Sequence, residues 1–506
     1  MSISVRTHQP SSPAGMTIVY TIARRSVKNI VMPPRHSQCS LTIYPAARMK
    51  GVYATATALL ALGGTSALSL NMSTKTASSG ATTASARHPL ANLSGNFDHS
   101  WVKQLSSETS ENRLRSQTNT PQDDGVSNNV RRPVYNGHFV PVRPDPLRNP
   151  RLVIHSPDMA KELGLSSEDV DSSAFVKFFS GEVDGALDGD SVTNSVKQSI
   201  KTWATPYALS IMGKRYTSNC PFGTGDGYGD GRAISIGEVA VAKTSHPHAS
   251  SRYEMQLKGA GPTPFCRGAD GRAVLRSSIR EFLASEAMYY LGIDTTRALS
   301  LIVSENGNTS QRPWYSDRNK KVVPDINDPR LAKYSIEQRN QIISQLNAQA
   351  KSDPDIMIEE PNAITCRVAP SFLRVGHIDL FARRVTKFVT KKNTRPDKST
   401  DEFKELEDLV WHACFREFPS TCYDPFKEKN DILSASKCLL EHSMEGIAAM
   451  VAGWIRVGFA QGNFNADNCL IAGRTMDYGP FGWMDEYHPL FAKWTGACCF
   501  VTRFSG

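Results

Sequence analysis

A pair of strands leading into a long helix sets the frame for this chain. Residues 271 to 291 read GRAVLRSSIREFLASEAMYYL and place Leu275, Ile279, Phe282, Leu283 and Tyr290 at helical spacing. Asp270 stands where a cap belongs and Gly292 where a stop belongs. Ahead of this helix, AISIGEVAVAKT (233–244) and YEMQLKG (253–259) alternate or run β-branched, as strands do, with His246, Pro247 and His248 in the turn between them. PDMAKELGL predicts a short helix starting near Ser156 or Asp158. Ser443 to Ala460 predicts a hydrophobic helix, and its modest length and Arg456 make it a buried core helix rather than a membrane span. Together these elements make an α+β chain without an internal repeat.

Charge separates the chain into two unlike parts. Residues 1 to 97 hold nine basic side chains and no acid before Asp98, which leaves 49 basic and 49 acidic side chains for residues 98 to 506. The formal charge of +9 therefore belongs to the leader, and nucleic-acid binding loses the cationic surface it requires. An acid-free stretch rich in Arg, Ser and Thr reads as an organelle transit peptide, mitochondrial first and plastid or another organelle second. MKGVYATATALLALGGTSALSLNM, from Met49, would pass for a secretory signal from an internal start, and its glycines, serines and threonines make it a weak membrane span. No stable membrane insertion is expected once the leader is removed.

The expected organisation is a targeting leader at 1–97, a polar linker at 98–133, and ordered sequence from Val134. Residues 305–360 and 386–402 are polar and read as surface insertions, the first with a helix near Ile336 to Ala350. The ten cysteines form no CxxC, so buried reduced thiols are expected rather than a zinc site or a disulfide framework.

The candidate chemistry begins with FGTGDGYGDGR (222–232), which fits neither a GxGxxG frame nor a Gly-Lys-Ser/Thr phosphate loop. Its end, Gly229 to Arg232, enters a strand and is open to two readings, a flexible turn or a backbone cradle beside a guanidinium. Lys258 closes a strand and Glu281 follows on the helix, a pairing used to neutralise nucleotide phosphates. NFNADNCLIAGRTMDYGPFG then supplies Asp467, Asn468 and Asp477, oxygen donors suited to orienting a hydroxyl and holding Mg²⁺ or Mn²⁺. No HRD precedes Asp467, which disfavours an ordinary protein kinase.

With GDGRAISIGE (229–238), residues 256–301, TCRVAPSFLRVGHID (365–379) and NADNCLIAGRTMDYGPFGWMDEY (465–487), the chain resembles the selenoprotein O family of protein adenylyltransferases over roughly residues 134 to 490. The resemblance implies a protein-kinase-like two-lobed fold, with a first lobe at 134–304 and a second at 361–506. It implies transfer of AMP from ATP to Ser, Thr or Tyr hydroxyls of proteins, with a truncated, inactive nucleotide-binding pseudokinase or a kinase-like phosphotransferase as the alternatives. It assigns Gly229, Gly231, Arg232, Lys258, Glu281, Asp270, Gly271, Arg367, Arg374 and Asp477 to the nucleotide. Asp467 would be the general base, with Asn468 and Asp477 as metal ligands. Two departures stand out. Gln461-Gly462 takes the place of a His-Gly, and the family pattern should continue beyond FAKWTG (491–496), so an incomplete C-terminal lobe is expected.

Overall fold

The computed structural model describes residues 88–109, 127–184, 201–211, 213–218, 220–241, 252–316, 324–349, 355–387 and 396–487. Residues 1–87, with most of the expected leader and the segment from Met49, lie outside them, as do the 246–248 turn and FAKWTG.

A nine-stranded antiparallel sheet organises the described residues. Its strands are β1 (Val140–Pro141), β2 (Pro150–His155), β3 (Trp203–Ala204), β4 (Ala233–Ala240), β5 (Arg252–Lys258), β6 (Ala273–Val274), β7 (Arg297–Ser304), β8 (Thr309–Trp314) and β9 (Ile356–Ala369). They run in the order β1-β3-β4-β5-β9-β7-β2, with β6 and β8 also paired to the long β9. β7 reads RALSLIVS and every residue is buried, as expected of a strand covered on both faces. The polar 305–360 stretch is tied down at both ends: Thr309–Trp314 pairs in register with residues 356–361, and helix α2 (Ile336–Gln349) lies between.

Helix α1 (Leu275–Tyr290) falls where the sequence predicts, but its buried face differs. Ile279, Leu283 and Tyr290 are exposed, whereas Ser278, Glu281, Phe282, Ala284, Ser285, Glu286 and Met288 face inward. The polar inward residues have partners: Glu286 receives two hydrogen bonds of 2.8 Å from Arg297 on β7, which fixes the helix against the sheet. Val274, not Asp270, stands at the cap position, and Asp270 instead accepts from Arg312, Ser310 and the Arg272 amide.

Three further helices follow: α3 (Val375–Thr386), α4 (Asp401–Glu417) and α5 (Ile432–Arg456). α5 starts eleven residues before the predicted Ser443 and is buried along one face only, through Ala435, Leu439, Ser443, Met450 and Trp454. Leu440, Met444 and Ile455 are each about 60% exposed, so the expected core helix is amphipathic in its setting. Among the described residues no helix is long and apolar enough to cross a membrane.

The cysteine expectation also changes. Cys422 and Cys438 form a disulfide between the π-helical turn Pro419–Tyr423 and α5. The spacing of 16 residues gave no motif, because the pairing depends on how the turn lies against the helix. Cys220, Cys266, Cys366, Cys414 and Cys469 are free and buried, as expected.

Described structure begins well before Val134, where the sequence reading expects order to start. Residues 88–109 carry Leu90, Leu93 and Trp101 into the core, Trp101 at 2% exposure. The Phe97 ring crosses β4 at Gly237, whose φ of +148° marks a bulge and where a Cβ would sit 2.4 Å from the ring. Glu238, fully buried, accepts from the Trp101 amide at 2.7 Å and the Ser100 hydroxyl at 3.0 Å, and it is ion-paired with buried Arg416 of α4. This stretch is thus held by Leu90, Leu93, two aromatic rings and two buried charge pairs, Glu238 with Arg416 and Glu108 with Arg132, pairings that periodicity does not reveal.

Candidate functional site

The site grows from one face of β5. In YEMQLK, Tyr253, Met255 and Leu257 enter the apolar core, while Glu254, Gln256 and Lys258 share the opposite face. All three polar side chains are buried, at 2%, 1% and 8% exposure. Burying three polar groups in a row is costly unless each is paired, and each is.

Lys258 Nζ is ion-paired with Glu281 of α1 and with Asp477 Oδ1, the latter at 2.8 Å. Gln256 Oε1 accepts from Arg367, which lies opposite it on β9 and also sits 3.5 Å from Glu281. Glu254 accepts from the Ser235 hydroxyl at 2.6 Å and the Phe372 amide at 3.1 Å. Burial lifts the Glu254 carboxyl to about 7, against the pull of those two bonds. The bond from the Phe372 amide ties the turn that carries Arg374 to β5.

Arg374 is the residue before α3. It reaches Asp230 at 2.8 Å and lies 4.3 Å over the Tyr207 ring. Asp230 in turn accepts from the Thr205 amide and hydroxyl, and His377, whose Nδ1 accepts from the Arg374 amide, donates its Nε2–H to the same hydroxyl oxygen, 3.0 Å away. Burial, reinforced by the Arg374 charge, lowers the His377 pKa well below the ordinary range.

The glycines around Asp230 are needed for close approach. A Cβ on Gly229 would lie 2.4 Å from the Phe265 ring and 2.5 Å from the Thr205 carbonyl, and one on Gly231 would lie 2.9 Å from the Phe265 carbonyl. These positions let residues 263–266 pass tightly, and Asp230 between them holds Arg374. Gly223 and Gly225, with φ of +69° and +87°, form the turn that the first half of the stretch predicts. Arg232 is exposed, and its charge acts on Asp477.

The third side comes from residues 459–483. β10 (Phe459–Gln461) pairs with β11 (Phe481–Trp483), and the aromatic cluster of Trp454, Phe459, Phe464, Tyr478 and Phe481 anchors the loop between them. Asp477 occupies the left-handed region at φ 60°, a conformation that Asp tolerates better than most residues. Burial opposes its charge, but Lys258, Arg367 and Arg232 hold its carboxyl well below the usual range. Gln461 Nε2 donates to the Asp477 carbonyl at 2.8 Å and Oε1 accepts from the Gly462 amide at 3.1 Å. The neutral amide of Gln461 thus adds to the aromatic anchor in tying down the loop.

Asp467 and Asn468 close the short 3-10 turn Ala466–Asn468 beside α3. Burial raises the Asp467 carboxyl to about 6, with Arg374 opposing and Asp477 adding to the rise. Asn468 Nδ2 donates to the Asn463 carbonyl at 3.0 Å, a bond that leaves its side-chain oxygen as an acceptor.

The predicted residues therefore divide. Lys258, Glu281, Arg367 and Asp477 form one connected cluster, and Arg374 acts electrostatically on Asp467 beside it. Asp270 and Gly271 stand apart from this network: Asp270 is bound by Arg312 and Ser310, and Gly271 packs on the Gly261–Pro262 backbone. Sequence reading missed Asp230, Gln256, Glu254, Tyr207 and His377. The alternation within YEMQLK was a usable signal for Glu254 and Gln256.

Atoms without hydrogen-bond partners show what the cluster is built to receive. Among the described residues, Arg367 Nε, Arg374 Nε and Nη1, and Asp467 Oδ1 are buried with none. Unused guanidinium donors beside an unused carboxylate oxygen fit an anion and a hard cation arriving together. Carboxylates and guanidinium groups thus gather beside one sheet face.

The family model described as protein adenylyltransferase SelO matches residues 132–317 and 342–496. The protein nucleotidyltransferase YdiU of Xanthomonas campestris pv. campestris (strain B100) is 36% identical over 386 residues, covering 76% of this chain and 56% of the relative. The protein of the same name from Xanthomonas oryzae pv. oryzae (strain PXO99A) is 35% identical over 390 residues, with the same coverage. The chain belongs to the SelO family. It spans little more than half the length of these curated relatives.

Proposed function

We propose that the chain is a protein adenylyltransferase on a protein-kinase-like two-lobed fold, transferring AMP from ATP to Ser, Thr or Tyr hydroxyls of proteins. The observation that carries this reading is Lys258 held between Glu281 and Asp477, with the free guanidinium donors of Arg367 and Arg374 nearby. Membership of a family described as adenylyltransferases supports the choice of AMP over phosphate as the transferred group.

In this reading the substrate hydroxyl attacks the α-phosphorus and its proton passes to Asp467. The bond to the β-phosphate breaks and pyrophosphate leaves. Lys258, Arg367 and Arg374 offset the charge on the departing group, where fixed cations act most strongly. Asn468 and Asp477 would hold Mg²⁺ or Mn²⁺, a fit supported by their oxygen donors and by the negative charge that Asp477 keeps. Such an ion neutralises phosphate oxygens and helps orient them. ATP labelled at the α-phosphate should label protein, and ATP labelled at the γ-phosphate should not; transfer of the γ-label would replace this reading with phosphorylation.

The raised Asp467 pKa gives a pH prediction with two signs. A base must be ionised, so AMP transfer is expected to rise as pH passes through about 6 and to level off above it. Stability runs the other way. The folded pKa of about 6 exceeds the unfolded value of about 3.9, so the folded state binds more protons in that window and loses stability as pH rises through it. Asp467→Asn should therefore lose transfer yet gain on the order of 1–3 kcal/mol of stability at neutral pH, with no difference near pH 4. A flat pH–rate profile, or a variant that unfolds more easily at neutral pH, would count against both the raised pKa and the assigned role.

A further inference from the structure

We infer that Cys422, Cys438 and His442 form a binding site for a soft divalent cation, Zn²⁺ above others, which opens when the disulfide between the two cysteines is reduced. Cys438 and His442 are four residues apart on α5 and so share one helix face. Cys422 comes from the π-helical turn Pro419–Tyr423 that lies against that face, and such turns recur at functional positions. The two sulfurs and one ring nitrogen of His442 all lie within 4.8 Å of one another. Zinc bonds of about 2.3 Å to sulfur and 2.0–2.1 Å to nitrogen place tetrahedral donors roughly 3.5 Å apart, so side-chain rotation is enough to gather the set.

The surroundings are those of an oriented ligand. The His442 ring stacks on Phe418 at 5.1 Å, and its Nδ1 lies 3.7 Å from Glu445 Oε2, a carboxylate able to steady the ring. Cys438 and His442 are partly exposed, which gives a reductant and an ion a way in. The free cysteines among the described residues are buried.

The redox step needs a dithiol reductant. Its thiolate attacks Cys438 Sγ and the Cys422–Cys438 bond breaks; two electrons pass to the pair, and the reductant closes its own disulfide. Cys422 and Cys438 are left as thiols, and Zn²⁺ binding releases their two protons as both coordinate as thiolates. Oxidation and metal binding are therefore mutually exclusive at this site, which uses none of the residues assigned to the nucleotide.

The test uses the full chain, reduced and freed of reductant under inert gas, then titrated with Co²⁺ as a spectroscopic probe. The expected result is sulfur-to-cobalt charge-transfer absorption with tetrahedral ligand-field bands, displaced by Zn²⁺ and absent from the oxidised chain. Cys438→Ser should remove the charge-transfer band, and His442→Ala should weaken binding by about tenfold or more. In the unaltered chain, Zn²⁺ should also protect Cys422 and Cys438 from maleimide while leaving the labelling of other thiols unchanged, a readout that does not depend on a variant folding. An unprotected pair, equal binding by the oxidised chain, or an undiminished band in Cys438→Ser would each overturn the assignment.

Discussion

Replacing Asp477 with asparagine should reduce the incorporation of α-labelled AMP into protein by at least about a hundredfold while leaving the fold intact. Asparagine keeps the shape of the side chain and, like aspartate, tolerates the left-handed backbone at φ 60°. It removes the charge that the surrounding cations hold in place. Lys258 retains Glu281, so no buried ammonium is left alone and the melting temperature should move by only a few degrees. Alanine at the same position would mix this effect with backbone strain, so asparagine is the cleaner probe. Transfer that stays within tenfold of the unaltered chain would remove Asp477 from the proposed chemistry.

The largest effect on stability is expected at Glu238. Glu238→Ala leaves Arg416 and the Trp101 amide buried without their shared partner, which should cost about 3–5 kcal/mol in denaturant unfolding. Burial already lowers the Arg416 pKa to about 10. The contrast is Asp184→Ala, which removes an ion pair with Arg143 whose side chains are 60% and 43% exposed. Solvent screens that pair, so its loss should cost less than about 1 kcal/mol. If the two variants unfold alike, Glu238 does not hold the N-terminal segment.

What the sequence discloses about this site follows from how local the information is. Lys258, Glu281, Asp467 and Asp477 are chemically distinctive types set beside strong strand, helix and turn signals, and they could be named before any coordinates. Asp230 could not: it reads as one more polar residue in a glycine-rich turn, and only the approach of residue 374 gives it a role. The exposed side of α1 is a similar case, since Ile279 and Leu283 follow helical spacing yet the helix turns Glu281 and Glu286 inward to meet Lys258 and Arg297. Pairing with charges elsewhere in the chain outweighs the apolar stripe, and such partners are invisible to a local window. Asp270 shows the same limit from the other side, because a residue well placed to cap a helix found Arg312 on a neighbouring strand instead.

The Glu238 contacts also bear on the order in which the chain can assemble during synthesis. Trp101 meets a residue 137 positions later, and Ser100 meets Arg416, 316 positions later. At roughly 5–20 residues per second, the ribosome needs about 15–60 s to pass from the first of those serine and arginine codons to the second. Throughout that interval the arm at residues 88–109 has no finished berth. The clasp is thus a late event by construction, and the arm is committed to the fold only after Arg416 has been made.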